Sequence, residues 1–205
     1  MIAVIDYGAG NLQSVVKALK YIDCDCIVTN NKNEILNADG ALLPGVGSFG
    51  DSMDSMNKTG TSDAVIEFVK TGKPFLGICL GLQLLFKASE ESPDARGLGL
   101  LNGSITKIPS DNGLLKIPHM GWNSLEIKKK DGLYKGIDGN PYVYFVHSYF
   151  LKADDENIVS ARTYYGTAID ASVQFENIYA TQFHPEKSGK VGLQILNNFV
   201  DITKR

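Results

Sequence analysis

Residues 75–86 read Phe75-Leu76-Gly77-Ile78-Cys79-Leu80-Gly81-Leu82-Gln83-Leu84-Leu85-Phe86, an apolar strand running into an amphipathic helix. At the junction stands Gly77-x-Cys79-x-Gly81, the cysteine form of a nucleophile elbow. The spacing has a steric reason. A sharp strand-to-helix turn holds its central residue in a strained backbone conformation, and flanking glycines let neighbouring elements approach closely. The turn also sets the sulfur at a helix N-terminus, where exposed N–H groups and the dipole favour thiolate. A buried structural cysteine is the competing reading, and the elbow alone does not decide between them.

Upstream, strand and helix signals alternate. Ile2 to Ile5 is a short β-branched run, and Asn11 to Tyr21 carries Leu12, Val15, Val16 and Leu19 at helical spacing. Cys24 to Val28 is a second strand signal and Gly40 to Leu43 a third, ended by Pro44-Gly45. Helical patterns follow around Asp51 and from Ser62 to Lys70, before Pro74 opens the strand Phe75 to Ile78. Strands separated by helices imply crossovers and a parallel sheet with helices on both faces. From Ile105 to Ala180 the pattern changes. Strand-like runs (Ser124 to Ile127, Tyr142 to Val146, Ile158 to Thr163, Ala171 to Phe175) are joined by turns such as Asp131-Gly132 and Asp138-Gly139-Asn140-Pro141, which indicates a partly antiparallel extension. Thr181 to Phe183 is read as a last strand and Lys190 to Ile202 as a closing helix. With no repeat or linker in sight, residues 1–205 are expected to form one mixed α/β domain.

Composition narrows the classes. Hydrophobic residues make up 43% and charged residues 21%, as in ordinary soluble globular chains, and a net charge of -3 points to neither nucleic acid nor an anionic membrane as partner. No apolar run is long enough to span a bilayer, and the N-terminus lacks the pattern of a signal peptide, so a cytoplasmic protein is expected. Three cysteines argue against a disulfide framework. Cys24 and Cys26, one residue apart, have the wrong spacing for a zinc pair and read as buried small residues of a strand.

A second element strengthens the case for chemistry at Cys79. Gln182-Phe183-His184-Pro185-Glu186-Lys187-Ser188 lies between a strand and the last helix. His184 can act as general base toward the thiol and later protonate a leaving group. Glu186, two residues on, points the same way as the histidine if the chain is extended there, and can hold the imidazole by its second nitrogen. The loop Pro44-Gly45-Val46-Gly47-Ser48-Phe49-Gly50 follows a strand and offers backbone N–H groups for an oxyanion, with the N–H of Leu80 as another.

Taken together, these motifs resemble the class I (triad) glutamine amidotransferases. Within that family they are most similar to the branch of glutaminase subunits that serve imidazole glycerol phosphate synthase. The resemblance is carried by Asp6-Tyr7-Gly8-Ala9-Gly10-Asn11-Leu12, the Pro44 to Asp51 loop, the elbow with Gln83, Pro118-His119-Met120-Gly121-Trp122-Asn123, Tyr144-Phe145-Val146-His147-Ser148-Tyr149 and the His184-Pro185-Glu186 segment. It implies a flavodoxin-like α/β fold and a triad of Cys79, His184 and Glu186. It further implies an oxyanion site around Gly45, Val46, Gly47 and Leu80, and glutamine held by Gln83 and Glu91 with backbone contacts from Ser148 and Tyr149. Glu90, adjacent to Glu91, competes for that role. The implied partner is a (βα)8-barrel cyclase that receives ammonia, docked on a face including Asn11, Met120, Trp122, Asn123, Tyr144 and Lys187. A core position is the alternative reading for the single tryptophan. His119 and the ring of His147 are not needed by this chemistry, and no metal or organic cofactor is expected. Three readings compete: this glutaminase, with another ammonia-accepting synthase such as one making surface sugars as the alternative partner, a free-standing cysteine hydrolase or peptidase, and a non-catalytic module on the same fold. Intact Cys79, His184 and Glu186 speak against the last.

Overall fold

The computed structural model describes residues 1–8, 11–110 and 112–204; Ala9 and Gly10 of the N-terminal motif lie outside the described residues. Five parallel strands form one side of an eight-stranded sheet: β1 (Ile2–Ile5), β2 (Cys26–Thr29), β3 (Gly40–Gly45), β4 (Phe75–Cys79) and, much later in the chain, β12 (Ile178–Thr181). Antiparallel strands β11 (Ala168–Phe175), β10 (Val159–Tyr164) and β7 (Glu126–Ile127) extend it, in the order β2-β1-β3-β4-β12-β11-β10-β7. The mixed, mostly parallel sheet with an antiparallel extension is therefore as expected. Two further ladders stand apart from it, β5 (Gly103–Lys107) with β9 (Tyr149–Ala153) and β6 (His119–Ser124) with β8 (Tyr142–His147).

Alternation along the strands assigns the helices to two layers. Ala3, Ile5, Ala41 and Leu43 pack with residues of α2 (Lys32–Asn37), α3 (Phe49–Thr59) and α4 (Thr61–Lys70). Ile2, Val4, Leu42 and Leu76 face the other way, onto α1 (Leu12–Tyr21) and α6 (Gly189–Ile202). No helix among the described residues is long and apolar enough to cross a membrane.

Several boundaries differ from the sequence reading, each for a local reason. The run read as one strand, Ser124 to Ile127, is divided. Buried Leu125 separates β6 from β7, which pair in different sheets. The last strand ends at Thr181 rather than beginning there, because Gln182 to His184 leave the sheet to reach the site. Cys24 is buried outside β2, which starts at half-buried Cys26. The short α2, capped by the Asn31 side chain on the N–H groups of Asn33 and Glu34, is too brief for periodicity to show. The elbow helix, α5 (Leu80–Gln83), is a single turn, and Leu80 to Phe86 are buried throughout rather than amphipathic.

Candidate active site

The elbow is built by close backbone approach. Cys79 adopts φ 56° and ψ -110°, a conformation sterically unfavourable for any residue with a side chain. A Cβ on Gly81 would lie 2.0 Å from the Leu43 carbonyl oxygen, and one on Gly77 would lie 2.7 Å from the Gly81 oxygen. Glycine at both positions lets β3, β4 and α5 meet there. Gly45, paired with Cys79 across the β3–β4 ladder, is equally confined: its Cβ would fall 2.7 Å from the Gly81 nitrogen. Gly45 is thus a packing residue of β3, whereas Val46 and Gly47 reach the cavity, Gly47 at φ 97° with open space around it. The N–H of Leu80 opens α5 and so has no partner within that helix.

The cavity above the elbow holds about 400 Å³ and is lined by Cys79, Leu80, Gln83, Glu91, Ser148, Tyr149 and His184 among others. Cys79 is 7% exposed, enough for the sulfur to be reached from that cavity. His184 Nδ1 and Glu186 Oε1 are 2.8 Å apart, both side chains nearly buried. The pairing arises differently from the sequence argument. His184 is extended, but Pro185 to Lys187 form a 3-10 turn, and it is this turn that brings the carboxylate to the ring. Burial disfavours the imidazolium, yet the contacts to Cys79 and Glu186 outweigh it and push the His184 pKa up to about 10. Its other nitrogen, Nε2, is buried without a hydrogen-bond partner. The ring therefore has one nitrogen committed to a carboxylate and one unsatisfied nitrogen beside a thiol, the arrangement that general acid–base work on that thiol requires.

The two adjacent glutamates separate cleanly. Glu91 lines the cavity and accepts from the N–H of Phe49 at 2.8 Å, while exposed Glu90 accepts from the N–H of Lys107 at 2.7 Å. Gln83 is nearly buried, and its amide nitrogen donates to the Tyr149 carbonyl and to Gln182 Oε1, both at 3.0 Å. Both amide hydrogens are thereby used, leaving its oxygen to meet a ligand. Gln182, quoted in the sequence motif but assigned no role, turns out fully buried with its amide nitrogen 3.8 Å from Cys79 Sγ. Its position two residues before His184 is the only signal that could have marked it. Tyr7, also unassigned, lies under the end of β3. A Cβ on Gly45 would come within 3.0 Å of its hydroxyl, and burial, with the Cys79 charge adding, pushes its pKa to about 12.

The β6–β8 ladder has two unlike faces. Outward are Met120 and Trp122, 67% and 56% exposed, so the single tryptophan is a surface residue and not core. Trp122 meets the Tyr144 ring edge-on at 6.2 Å, and the Lys187 ammonium sits 6.0 Å from the same ring. Asn11 is exposed at the start of α1, which packs on the Pro185–Lys187 turn. Inward are His119 and His147, directly opposed in register and joined Nδ1 to Nε2 at 2.9 Å. Burial pushes both pKa values down, to about 4 and about 3, so both are neutral near pH 7. His147 Nδ1 faces the Tyr149 carbonyl at 2.9 Å and must donate to it. Its Nε2 is then an acceptor, His119 donates through Nδ1, and Asn123 donates to His119 Nε2 at 3.4 Å. No cluster of metal-ligating side chains occurs among the described residues.

The model of the family described as glutamine amidotransferase class-I matches residues 3–202. The protein named imidazole glycerol phosphate synthase subunit HisH of Caldanaerobacter subterraneus subsp. tengcongensis is 48% identical over 204 residues, covering 100% of this chain and 99% of its own. A protein of the same name from Methanocaldococcus jannaschii is 46% identical over 202 residues, covering 98% and 100%. Among solved structures, one described as a glutamine amidotransferase aligns with TM-score 0.77 over 100% of both chains at 20% identity. The structure of PurLQS from Thermotoga maritima aligns with TM-score 0.73 over 98% and 97%, also at 20% identity. At such identities the two structures speak to the fold alone.

Proposed function

The chain belongs to the class I glutamine amidotransferases, and from that premise we propose that it is the glutaminase subunit of an imidazole glycerol phosphate synthase. In this reading it hydrolyses L-glutamine through Cys79, His184 and Glu186 and passes ammonia to a (βα)8-barrel cyclase in histidine biosynthesis. The observation that carries the mechanism is the buried His184–Glu186 pair set beside a strained cysteine elbow in one cavity. The identity of close, full-length relatives supports the choice of synthase. Exposed Met120 and Trp122 beside the Tyr144 ring supply the apolar docking face that a partner needs.

The geometry supports the following order of steps. With His184 held as imidazolium, Cys79 attacks as thiolate on the side-chain carbonyl of glutamine. The N–H groups of Leu80 and of the Val46–Gly47 segment receive the developing oxyanion. His184 gives its proton to the leaving nitrogen, which departs as ammonia and leaves a thioester. The ring, now neutral, takes a proton from water as it attacks, and glutamate is released while the thiolate–imidazolium pair returns. Gln83, with only its oxygen unoccupied, and the Glu91 carboxylate are both acceptors, so they fit the substrate's ammonium and not its carboxylate. Backbone N–H groups near Ser148 and Tyr149 are left to meet the carboxylate.

The test is glutamate release by the purified chain, alone and with an imidazole glycerol phosphate cyclase and its nucleotide ligand. Strong stimulation by the liganded cyclase is the expected result. Full activity of the chain alone, indifferent to the cyclase, would favour the free-standing hydrolase.

A further inference from the structure

Cys79 Sγ has two polar neighbours of opposite character besides His184. The Val146 carbonyl, at 3.9 Å, can only accept and therefore suits the thiol. Gln182 Nε2, at 3.8 Å, can only donate and therefore suits the thiolate. That the amide presents nitrogen and not oxygen to the sulfur is decided two residues away. The Tyr149 carbonyl cannot donate, so Gln83 must turn its nitrogen toward it. That same nitrogen reaches the Gln182 side chain, which must answer with its oxygen. The remaining end of the Gln182 amide is then its nitrogen, and it faces Cys79. His147 donates to the same Tyr149 carbonyl, so the anchor of the chain is itself held from the other side.

Building on the glutaminase reading above, we propose that Gln182 is a further active-site residue, an N–H donor that stabilises the Cys79 thiolate and is kept in that orientation by the Tyr149 carbonyl through Gln83. A fully buried amide loses nothing to water, and its bond to sulfur strengthens as the proton leaves, while the Val146 contact weakens. The contact thus separates the two protonation states of the nucleophile and does not merely fill space. The ionisable groups that share this environment are His184 with Glu186 behind it, Tyr7 beyond Gly45, and Glu91, His147 and Lys187, which line the same cavity. Gln182→Met adds no charge beside any of them.

The pH profile of iodoacetamide alkylation at Cys79, read by peptide mass mapping so that Cys24 and Cys26 are excluded, tests the proposal directly. Gln182→Met removes the donor at similar volume and should raise the alkylation midpoint by about one pH unit, a tenfold change in thiolate equilibrium. Gln182→Glu still accepts from Gln83 but turns an anion on the sulfur, and should raise it further. In glutamine hydrolysis both should lower kcat about tenfold or more while moving KM less. Gln83→Met, which leaves the amide free to turn, should shift the alkylation midpoint in the same direction by less, and serves if either Gln182 variant fails to fold. Unchanged midpoints in folded variants would overturn the proposal whatever happens to kcat. Failure of the parent reading looks different: wild-type protein with Cys79 fully alkylated would still hydrolyse glutamine.

Discussion

Replacing Gly81 by alanine tests whether the elbow depends on backbone contact. The added Cβ would sit 2.0 Å from the Leu43 carbonyl oxygen and 3.0 Å from its carbon, atoms of a strand paired on both sides. Relief requires β3 and the elbow to part by about 1 Å, which no rotamer change can supply. Overpacking of this kind costs about 1–3 kcal/mol, and a backbone obstacle places it at the upper end. The gain in helix propensity returns at most about 1 kcal/mol, leaving a net loss of about 2–3 kcal/mol. For 205 residues the unfolding entropy is about 0.43 kcal/mol/K, so Tm should fall by about 5–7 °C. Because the same shift displaces Gly45 from Cys79, kcat should fall by about two orders of magnitude, as for a misplaced catalytic group. Gly50→Ala is the control. There the Cβ meets the Ser92 hydroxyl at 3.0 Å, the Ser92 Cβ at 3.2 Å and the Ala95 Cβ at 3.7 Å, side-chain atoms of a half-buried loop that need give only slightly, so Tm should change by less than about 2 °C. Calorimetry and glutamate release on the two variants decide the matter. A Gly81→Ala protein with native Tm and activity would refute the close-approach account.

Other consequences are simpler. Cys79→Ala should abolish glutamine hydrolysis yet keep Tm within about 3 °C, since the residue is a strain point and not a packing centre; residual turnover would end the proposed mechanism. Glu91→Gln should raise KM for glutamine about tenfold, and Glu90→Gln should leave it within about twofold, because only the first lines the cavity. For His184 the charged form is the one favoured by folding. Its contribution to stability is therefore complete below the ordinary histidine pKa of about 6.5 and is lost as pH rises through about 10. Glu186→Gln should draw the alkaline limb of the kcat/KM profile down by about one unit, and an unmoved limb would exclude Glu186 as the support of the imidazolium. Trp122→Ala should weaken cyclase binding about 30-fold in a titration while Tm stays within about 2 °C, as for an exposed hot-spot residue.

The fold was legible where periodicity is long or punctuation is strong. The βα repeats up to Phe75–Cys79 and the closing helix could be placed from apolar spacing and from Pro44-Gly45 and Pro74. What failed was short or decided by distant partners. Leu125 gives no local hint that the chain changes sheets there, and the partner of β6 is the distant β8, paired along the whole of His119 to Ser124. Likewise, α5 reads as amphipathic because Gly81 and Gln83 look like a polar side. Both are buried, Gly81 against Leu43 and Gln83 against Tyr149 and Gln182, contacts that only tertiary structure supplies.

The site divides along the same line. Side-chain identity marks the proposed nucleophile, base and carboxylate, since few residue types can perform those roles and their motifs are distinctive. Polarity is harder to read, because an amide or a neutral imidazole can face either way. Here it is imposed by one backbone acceptor, the Tyr149 carbonyl, which no residue code encodes. It obliges His147 and Gln83 to donate, and through them sets which atom Gln182 shows to Cys79 and that His119 shows Asn123 an acceptor. Asn123 also donates to the Tyr164 carbonyl and neighbours exposed Trp122, so the hydrogen-bond chain runs from the exposed side of β6 to Cys79. A shift of the β8–β9 turn by a few tenths of an ångström would alter both arms together, because both end on the same oxygen.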